Sequence, residues 1–528
     1  MHNPINVKHL FILPLLALLS SCDDPLPAPP DTLYESHCVF PYVRNDANFS
    51  SEITAYNNTA GGNYTTEVEA LYRDDAGTIV NTQTVTLNPR ESHQFSTTNF
   101  TGSVDIKGLG VANAMQCQLE IREVNNQSIA LAQKATILER LAQHWFVQLD
   151  VTDEGPGQTR TALITANLWR DDPLYVRYNP DAPGISCAAN EVIIPPRGFH
   201  VFYPMDVYAP LFPAGMQNIQ VSVSGFTGPN ATGQQVAAFS GAQFIADPGG
   251  SIALDNYATI NPNEWGGISA KNQAYLVDVQ DDGVNRTDRI VVKSTNGTNF
   301  PSPDIIYKVH MYDENGVVVP GAPIITLAEH FGNSDSYGIF SPMTLAGAPF
   351  SGSVWIEPPQ GQNFAKEAQV SVTKQSATGW QDRLAQVAAK NWPSTHGVIP
   401  HVSNQEANRD YRLAFFYPEN IYTPVPGVEL PGDVFGGPND VPPTPEGGIV
   451  VMQFYATDGQ HLGWLAFQMQ PNQTRYFDVD NIANTYLGEN FSGTIEFTPH
   501  IAQQLELQHT VTGAHATTSN WTAGQKHY

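Results

Sequence analysis

The chain has 528 residues, with 25 Lys and Arg against 51 Asp and Glu, which gives a formal net charge of −26. This length exceeds one hydrophobic core, so several domains are expected, and the acidic balance argues against binding nucleic acid, which needs clustered basic residues. Since only 14% of residues are charged and 41% are hydrophobic, a disordered acidic tail is also excluded. The many Gly, Pro, Thr, Asn and Val residues favour an all-β protein with frequent turns.

Residues 1–21 have the pattern of an exported protein's signal peptide. Lys8 precedes an apolar run, Leu10–Leu19, that is too short to span a bilayer as a helix. The segment Leu19-Ser20-Ser21-Cys22 that follows resembles the bacterial lipobox. The resemblance implies cleavage before Cys22 and acylation of its thiol, and a conventional signal peptide is the alternative. Acyl chains on Cys22 would anchor the protein stably to a membrane.

Residues 22–34 follow as a Pro-rich tether, which the composition predicts to be extended. Asp23, directly after Cys22, resembles the inner-membrane retention signal of enteric lipoproteins. The protein is therefore expected in a bacterial cell envelope. The choice between the inner membrane, the outer membrane and the cell surface stays open.

Short motifs recur along the rest of the chain. An aromatic residue and a polar turn occur in 72–77, 169–173, 312–316 and 455–459, and period-two alternation ending in such a turn indicates a strand and hairpin. A Pro-containing turn with a following strand occurs in 87–95, 194–202 and 469–477, with a looser copy at 327–337. Two further motifs are Phe-(Ser/Thr)-Gly, at 100–102, 350–352 and 491–493, and an opening strand, at 42–45, 149–155, 277–283 and 401–404.

These repeats predict four units, 35–138, 139–262, 263–390 and 391–510, before a polar tail, 511–528. Units of this size with short strands are typical of β-sandwich domains. The chain thus resembles bacterial surface lipoproteins built from tandem immunoglobulin-like domains. The resemblance implies an all-β fold of four such sandwiches, and a jelly roll or another two-sheet topology stays possible.

Cys22 apart, the chain has Cys38, Cys117 and Cys187. Because an exported chain meets an oxidising compartment, two of them are expected to pair. Cys38 and Cys117 lie near the start and the end of the first unit, so we predict a disulfide between them and a free, buried Cys187. Three cysteines allow the two other pairings as well.

No motif predicts an enzyme, a metal site or a cofactor. Asp278–Gly283 has oxygen ligands at the first, third and fifth positions of a calcium loop, but Arg289 stands where the bidentate Glu is required, which favours a β-turn. His93 and His200 share a Pro-Arg-x-x-His pattern. They lie in different units, so we interpret them as structural.

One long insertion interrupts the fourth unit at residues 418–448. It is rich in Pro and Gly and contains acidic residues but no Lys or Arg. Long loops in compact domains are usually functional or disordered. We predict a partner-binding loop with apolar anchors, and a merely flexible insertion is the alternative; the anchors are Tyr422, Val425, Leu430 and Phe435.

The sequence therefore predicts a non-enzymatic, lipid-anchored exported protein. It would form an elongated rod for protein binding, adhesion or envelope assembly, with another envelope or extracellular protein as its partner. Two alternatives are a carbohydrate-binding or glycan-active envelope protein and a subunit of a pilus, filament or secretion complex.

Overall fold

The computed structural model is an all-β protein of antiparallel sheets with a few short helices. The structure describes residues 36–58, 65–109, 115–124, 129–134, 136–137, 144–150, 160–167, 171–181, 190–208, 218–233, 240–246, 252–256, 259–260, 274–284, 286–294, 305–320, 324–327, 336–357, 368–375, 383–388, 397–403, 409–416, 434–436, 449–470, 472–488, 491–499, 506–513 and 518–522. Cys22, Cys187, Tyr422, Val425 and Leu430 lie outside these ranges.

The described strands fall into four consecutive groups, which we name units 1 to 4. Unit 1 contains β1 (Ser36–Asn45), β2 (Phe49–Asn57), β3 (Thr66–Arg73), β4 (Ile79–Leu87), β5 (Ser92–Ser96), β6 (Phe100–Leu109), β7 (Met115–Glu123), β8 (Ile129–Lys134) and β9 (Thr136–Ile137). Unit 2 contains β10 (His144–Asp150), β11 (Arg160–Ala166), β12 (Leu174–Asp181), β13 (Asn190–Ile194), β14 (Phe199–Phe202), helix α1 (Pro204–Tyr208), β15 (Asn218–Phe226), β16 (Ser240–Ala246), β17 (Ile252–Asn256) and β18 (Thr259–Ile260).

Units 3 and 4 repeat this series. Unit 3 contains β19 (Ala274–Asp281), β20 (Arg289–Ser294), β21 (Ile305–Asp313), β22 (Ile324–Leu327), β23 (Ser336–Phe340), α2 (Pro342–Ala346), β24 (Phe350–Glu357), β25 (Ala368–Gln375) and β26 (Arg383–Ala388). Unit 4 contains β27 (Gly397–Ser403), β28 (Arg409–Phe416), β29 (Val434–Gly436), β30 (Ile449–Ala456), β31 (His461–Gln468), β32 (Thr474–Asp478), α3 (Val479–Ile482), a π-helical turn (Ala483–Leu487), β33 (Ser492–Pro499), β34 (Glu506–Gly513) and β35 (Thr518–Thr522).

Every unit has the same strand order. In unit 1 the two sheets run β4-β3-β6-β1-β9 and β5-β2-β7-β8, and the corresponding strands of units 2, 3 and 4 pair in the same way. Among the residues that the structure describes, two short additions differ between the units. A fifth strand, β9 or β18, lies beside the first strand of units 1 and 2, and β29 lies at the opposite edge of unit 4.

This order corrects the expected immunoglobulin-like topology. An immunoglobulin constant domain hydrogen-bonds its first strand to its second, in the order ABED. Here the first strand pairs with the sixth, as β1 does with β6, and the second pairs with the fifth and seventh. The two four-stranded sheets of a unit therefore have another two-sheet topology, an alternative that the sequence left open.

The two sheets of a unit enclose an apolar core because alternate side chains of both sheets point inward. In unit 4, Leu413 and Phe415 of one sheet pack with Met452, Phe467 and Ile495 of the other, all at most 1% exposed. The described residues of units 1 and 2 share one continuous core cluster.

The predicted pairing of Cys38 with Cys117 is present. Cys38 lies in β1 and Cys117 in β7, so the bond joins the two sheets of unit 1. Both cysteines are buried.

Candidate functional site at the junctions between units

The recurrent motifs meet at the junctions between units. The polar turn of one unit docks on the Pro-containing turn of another in three described cases: unit 1 docks on unit 2, unit 3 on unit 4, and unit 4 on unit 1. The corresponding turns of units 2 and 3 lie largely outside the described residues. These junctions are the candidate functional site, since the repeated motifs converge there.

The docking turns have one shape. In each, the N–H of the glycine donates to the carbonyl three residues earlier, as Gly77 does to Asp74 at 3.0 Å. The three glycines, Gly77, Gly316 and Gly459, have φ values of 83°, 81° and 84°. Such left-handed values favour glycine, which explains its place in the motif.

The accepting turns are also alike. Glu91 N donates to Asn88 O at 3.1 Å, Gly198 N to Pro195 O at 3.0 Å and Gln473 N to Gln470 O at 3.1 Å. The third residue of each turn is left-handed, with φ values of 64°, 60° and 61° for Arg90, Arg197 and Asn472. These are the features of type II β-turns.

One backbone hydrogen bond links the two turns at every described junction. The carbonyl two residues before the glycine accepts from the N–H that follows the type II turn. The pairs are Phe199 N to Asp75 O at 3.2 Å, Thr474 N to Glu314 O at 3.2 Å and Ser92 N to Thr457 O at 2.9 Å.

The fit is close enough to exclude a side chain on two of the glycines. A Cβ on Gly77 would lie 2.1 Å from Pro196 O, and one on Gly459 would lie 2.8 Å from Pro89 O. Both glycines are therefore required by φ and by contact with the next unit.

A β-bulge adds a second contact. The first strands of units 1, 3 and 4 are irregular at the same place, before Val43, Val279 and Val402. A β-bulge changes the direction in which a side chain of the strand points. In unit 1 the re-aimed Tyr42 meets Phe199 of unit 2 at a ring separation of 6.4 Å, and in unit 4 His401 lies against unit 1.

The junctions differ in chemistry. Unit 3 meets unit 4 through an apolar cluster of Val277, Tyr312, Ala414 and Phe416. Unit 1 meets unit 2 inside their shared core. The contact between units 4 and 1, which we name the closing junction, is instead strongly polar.

At the closing junction, Glu496 of β33 is 2% exposed and holds two partners from unit 1. Tyr56 donates its hydroxyl hydrogen to Oε1 at 2.5 Å, and Arg90 Nη2 lies 3.4 Å from Oε2. Burial and the Glu496 carboxylate both raise the pKa of Tyr56 far above its usual value, so the phenol stays a donor. The Arg90 guanidinium also lies 4.4 Å from the centre of the Tyr455 ring.

A second polar chain crosses the closing junction at the bulge. His401 N donates to Gln118 Oε1 at 3.0 Å, and Gln118 donates to Glu120 at 2.8 Å. His401 Nε2 also lies 3.2 Å from Gln94 Nε2. The closing junction is thus held by paired polar groups on buried strands, a costly arrangement unless every partner is present.

The units therefore form a closed ring. The last strands of neighbouring units lie beside each other in a cycle, β8 with β17, β17 with β26, β26 with β35, and β35 with β8. A head-to-tail interface closes into a ring when its rotation allows. The expected elongated rod is wrong, because unit 1 contacts units 2 and 4.

The acidic segment considered for calcium takes part in protein contacts. Asp278 is the bulged residue of β19, at φ 55°, and accepts from Gln280 Nε2 at 2.8 Å. Asp281 lies 3.1 Å from Arg289 Nη1 and accepts from Ser341 Oγ at 2.5 Å. The turn itself is Asp282–Arg286, whose ends are joined by a backbone hydrogen bond of 3.1 Å.

His93 and His200 lie in β5 and β14, on different units, and are not brought together. Burial lowers the pKa of both imidazoles, which favours their neutral forms. Among the residues that the structure describes, no group of three or more His, Cys, Asp or Glu could hold a metal ion.

Of the four apolar anchors of the long loop, Phe435 alone falls in the described residues. It lies in β29, which pairs antiparallel with β31, with Phe435 opposite Leu465. Part of the insertion is thus an edge strand of unit 4.

No known protein family matches the chain, and no curated protein matches its sequence. Within the described ranges there is no helix long and apolar enough to cross a membrane.

Proposed function

We propose that the chain is a non-enzymatic, lipid-anchored exported protein whose four tandem β-sandwich domains form a ring that binds another envelope or extracellular protein. The observation that carries this proposal is the turn-to-turn docking repeated at three junctions. The repeated motifs are used to fix the units relative to one another, which suits a rigid scaffold for protein binding, adhesion or envelope assembly.

Two observations support export and anchoring. The buried Cys38–Cys117 bond fits an oxidising compartment. The lipobox resemblance ends at Cys22, directly before the Pro-rich tether. Cys22→Ser should abolish acylation and leave unprocessed or released protein. Acyl-labelled mass spectrometry that finds Cys22 unmodified in the mature wild type would contradict the anchor.

The 418–448 loop is our proposed partner-binding element. Because the stretch has no basic residue, its partner should present Lys or Arg, and binding should weaken as salt increases. Deleting the whole loop would also uncover the edge of β31, since β29 pairs there. The better variant replaces Tyr422, Val425 and Leu430 with Ser and leaves residues 434–436 intact.

The experiment cross-links the protein in its native membrane and quantifies the captured partner by mass spectrometry. The loop variant should lose the partner that the wild type captures. A matched control replaces three exposed valines, Val284, Val317 and Val318, which are 74%, 61% and 53% exposed, with Ser, and it should keep the partner. Equal capture by the loop variant would place the binding surface elsewhere, and glycan binding or hydrolysis by the purified chain would overturn the functional class.

A further inference from the structure

Strand β4 of unit 1 leaves one side without a neighbouring strand in the part of the chain that the structure describes. It is the end strand of its five-stranded sheet and pairs with β3 on the other side. Its nine residues, IVNTQTVTL, include no charged residue and no Pro. Every second side chain from Val80 to Thr86 is exposed, and all four of these are β-branched.

Edges of this kind are normally blocked. Proteins guard free strand edges with charged residues, Pro, bulges or short length, because the unpaired N–H and C=O groups can pair with another chain. The corresponding strand of unit 2, β13, carries Glu191, which lies 3.9 Å from Arg177 and accepts from Asn230 N at 2.9 Å. The corresponding strand of unit 3, β22, has four residues.

The fourth unit shows that this edge accepts a further strand. There the equivalent strand, β31, pairs antiparallel with β29 on the side away from β30. Since the units have the same strand order, the free side of β4 corresponds to the side of β31 that β29 covers.

We propose that β4 pairs antiparallel with β4 of a second copy of this chain. If a two-fold axis lies beside Gln83, the two copies of β4 overlap along their whole length. Thr82 of one copy then lies opposite Thr84 of the other, and Val80 lies opposite Thr86. A Thr–Thr pair is stabilising across strands, and Val and Thr are both residues that strands favour. The pairing is isologous, as in most symmetric dimers, and would join the two five-stranded sheets into one.

Charge is the argument for self-pairing. Each chain carries a formal charge of −26, so two copies repel wherever acidic side chains approach. The neutral β4 is an edge at which two copies approach without placing like charges opposite each other. The inference depends on this edge and on neither the lipid anchor nor the long loop, so the tests of the two proposals can fail separately.

The first measurement is the sedimentation of the full chain over a range of concentrations in mild detergent. The wild type should sediment as a monomer–dimer mixture. Thr82→Lys with Thr84→Lys should weaken the dimer at least tenfold, because lysines would then stand opposite lysines. The control, Val317→Lys with Val318→Lys, adds the same charge at exposed positions of unit 3 and should dimerise like the wild type.

The second measurement tests the register. Thr82→Cys and Thr84→Cys chains should form a disulfide-linked dimer when mixed, since opposite residues lie about 4.5–5.5 Å apart. Neither variant alone should cross-link through the new cysteine, because its own copy would lie beyond the roughly 7 Å limit. A monomer at all concentrations, equal dimerisation of the lysine variant, or cross-linking to a different protein alone would overturn the proposal.

Discussion

Tyr56 and Glu496 are separated by 440 positions in the sequence, yet the Tyr56 hydroxyl donates a 2.5 Å hydrogen bond to the Glu496 carboxylate. Tyr56 is fully buried and Glu496 is 2% exposed. This hydrogen bond lies at the closing junction, where the first unit meets the fourth, together with the Arg90–Glu496 ion pair and the His401–Gln118 hydrogen bond. The pair therefore reports directly on whether the ring is closed.

Replacing Tyr56 with Phe should destabilise the protein by about 1–3 kcal/mol, because a buried carboxylate loses one of its donors. Denaturant unfolding followed by circular dichroism measures the change. The control is Tyr486→Phe at a side chain that is 42% exposed, for which less than about 0.5 kcal/mol is expected. Equal effects of the two changes would show that the Tyr56 hydroxyl contributes nothing to closure.

Gly459→Ala should open or strain the closing junction. The added Cβ would meet Pro89 O at 2.8 Å, in addition to the cost of a left-handed alanine. Gly347 is the matched control, since its φ is 71° and a Cβ there would have no atom within 4 Å. We expect Gly459→Ala to lower the free energy of unfolding by about 1–3 kcal/mol more than Gly347→Ala does. If both variants lose the same free energy of unfolding, the docking of the two turns contributes nothing to stability.

Breaking the disulfide should destabilise unit 1. Cys38 and Cys117 are 79 positions apart, and the chain-entropy relation gives roughly 4–5 kcal/mol for closing such a loop. Non-reducing peptide mapping should find the Cys38–Cys117 pair and a free thiol on Cys187. The Cys38→Ala/Cys117→Ala variant should unfold at lower denaturant than the wild type. A mapped peptide that joins Cys187 to either residue would contradict this connectivity.

Stability should fall as the pH drops below about 6.5. The pKa values of His93 and His200 are lowered from 6.5 in the folded protein, mainly by burial. Between the folded and unfolded pKa values, the unfolded chain therefore binds more protons than the folded protein does. The contribution of the two histidines to stability is fully present at a pH above the unfolded pKa, and it is lost as the pH falls towards and through the folded pKa. Unfolding titrations of His93→Gln with His200→Gln should show a flatter dependence over this range, and an unchanged slope would exclude both histidines as its cause.

The repeats in the sequence marked the turns because a turn depends on local chemistry. Gly77, Gly316 and Gly459 mark left-handed positions that could be located without a structure. The strand order could not be predicted in this way, since β1 with β6 and β2 with β7 are pairings between distant segments. Local alternation identifies a strand but does not identify its neighbour.

The sequence revealed the motifs that form the junctions, but it did not reveal which motif contacts which. Arg90 and Arg197 belong to the repeated Pro-Arg-x-x-His pattern, and their positive φ values are a property of the turn that receives the preceding unit of the ring. Glu496 was not singled out, because a lone Glu in an alternating strand carries no signal. The combination of a buried Glu with Tyr56 and Arg90 exists only after the chain has closed on itself.

The polar closing junction also has a consequence for biosynthesis. Unit 1 emerges from the ribosome first, and its receiving turn at Ser92 has no partner until Thr457, about 365 residues later, has been made. At 5–20 residues per second this interval lasts roughly 20–70 s. The surface of unit 1 that unit 4 will cover carries Tyr56, Arg90 and Gln118 rather than an apolar patch. Water can therefore solvate this surface until unit 4 has been made. The surface that unit 4 later covers is therefore not an apolar docking site before unit 4 has been made.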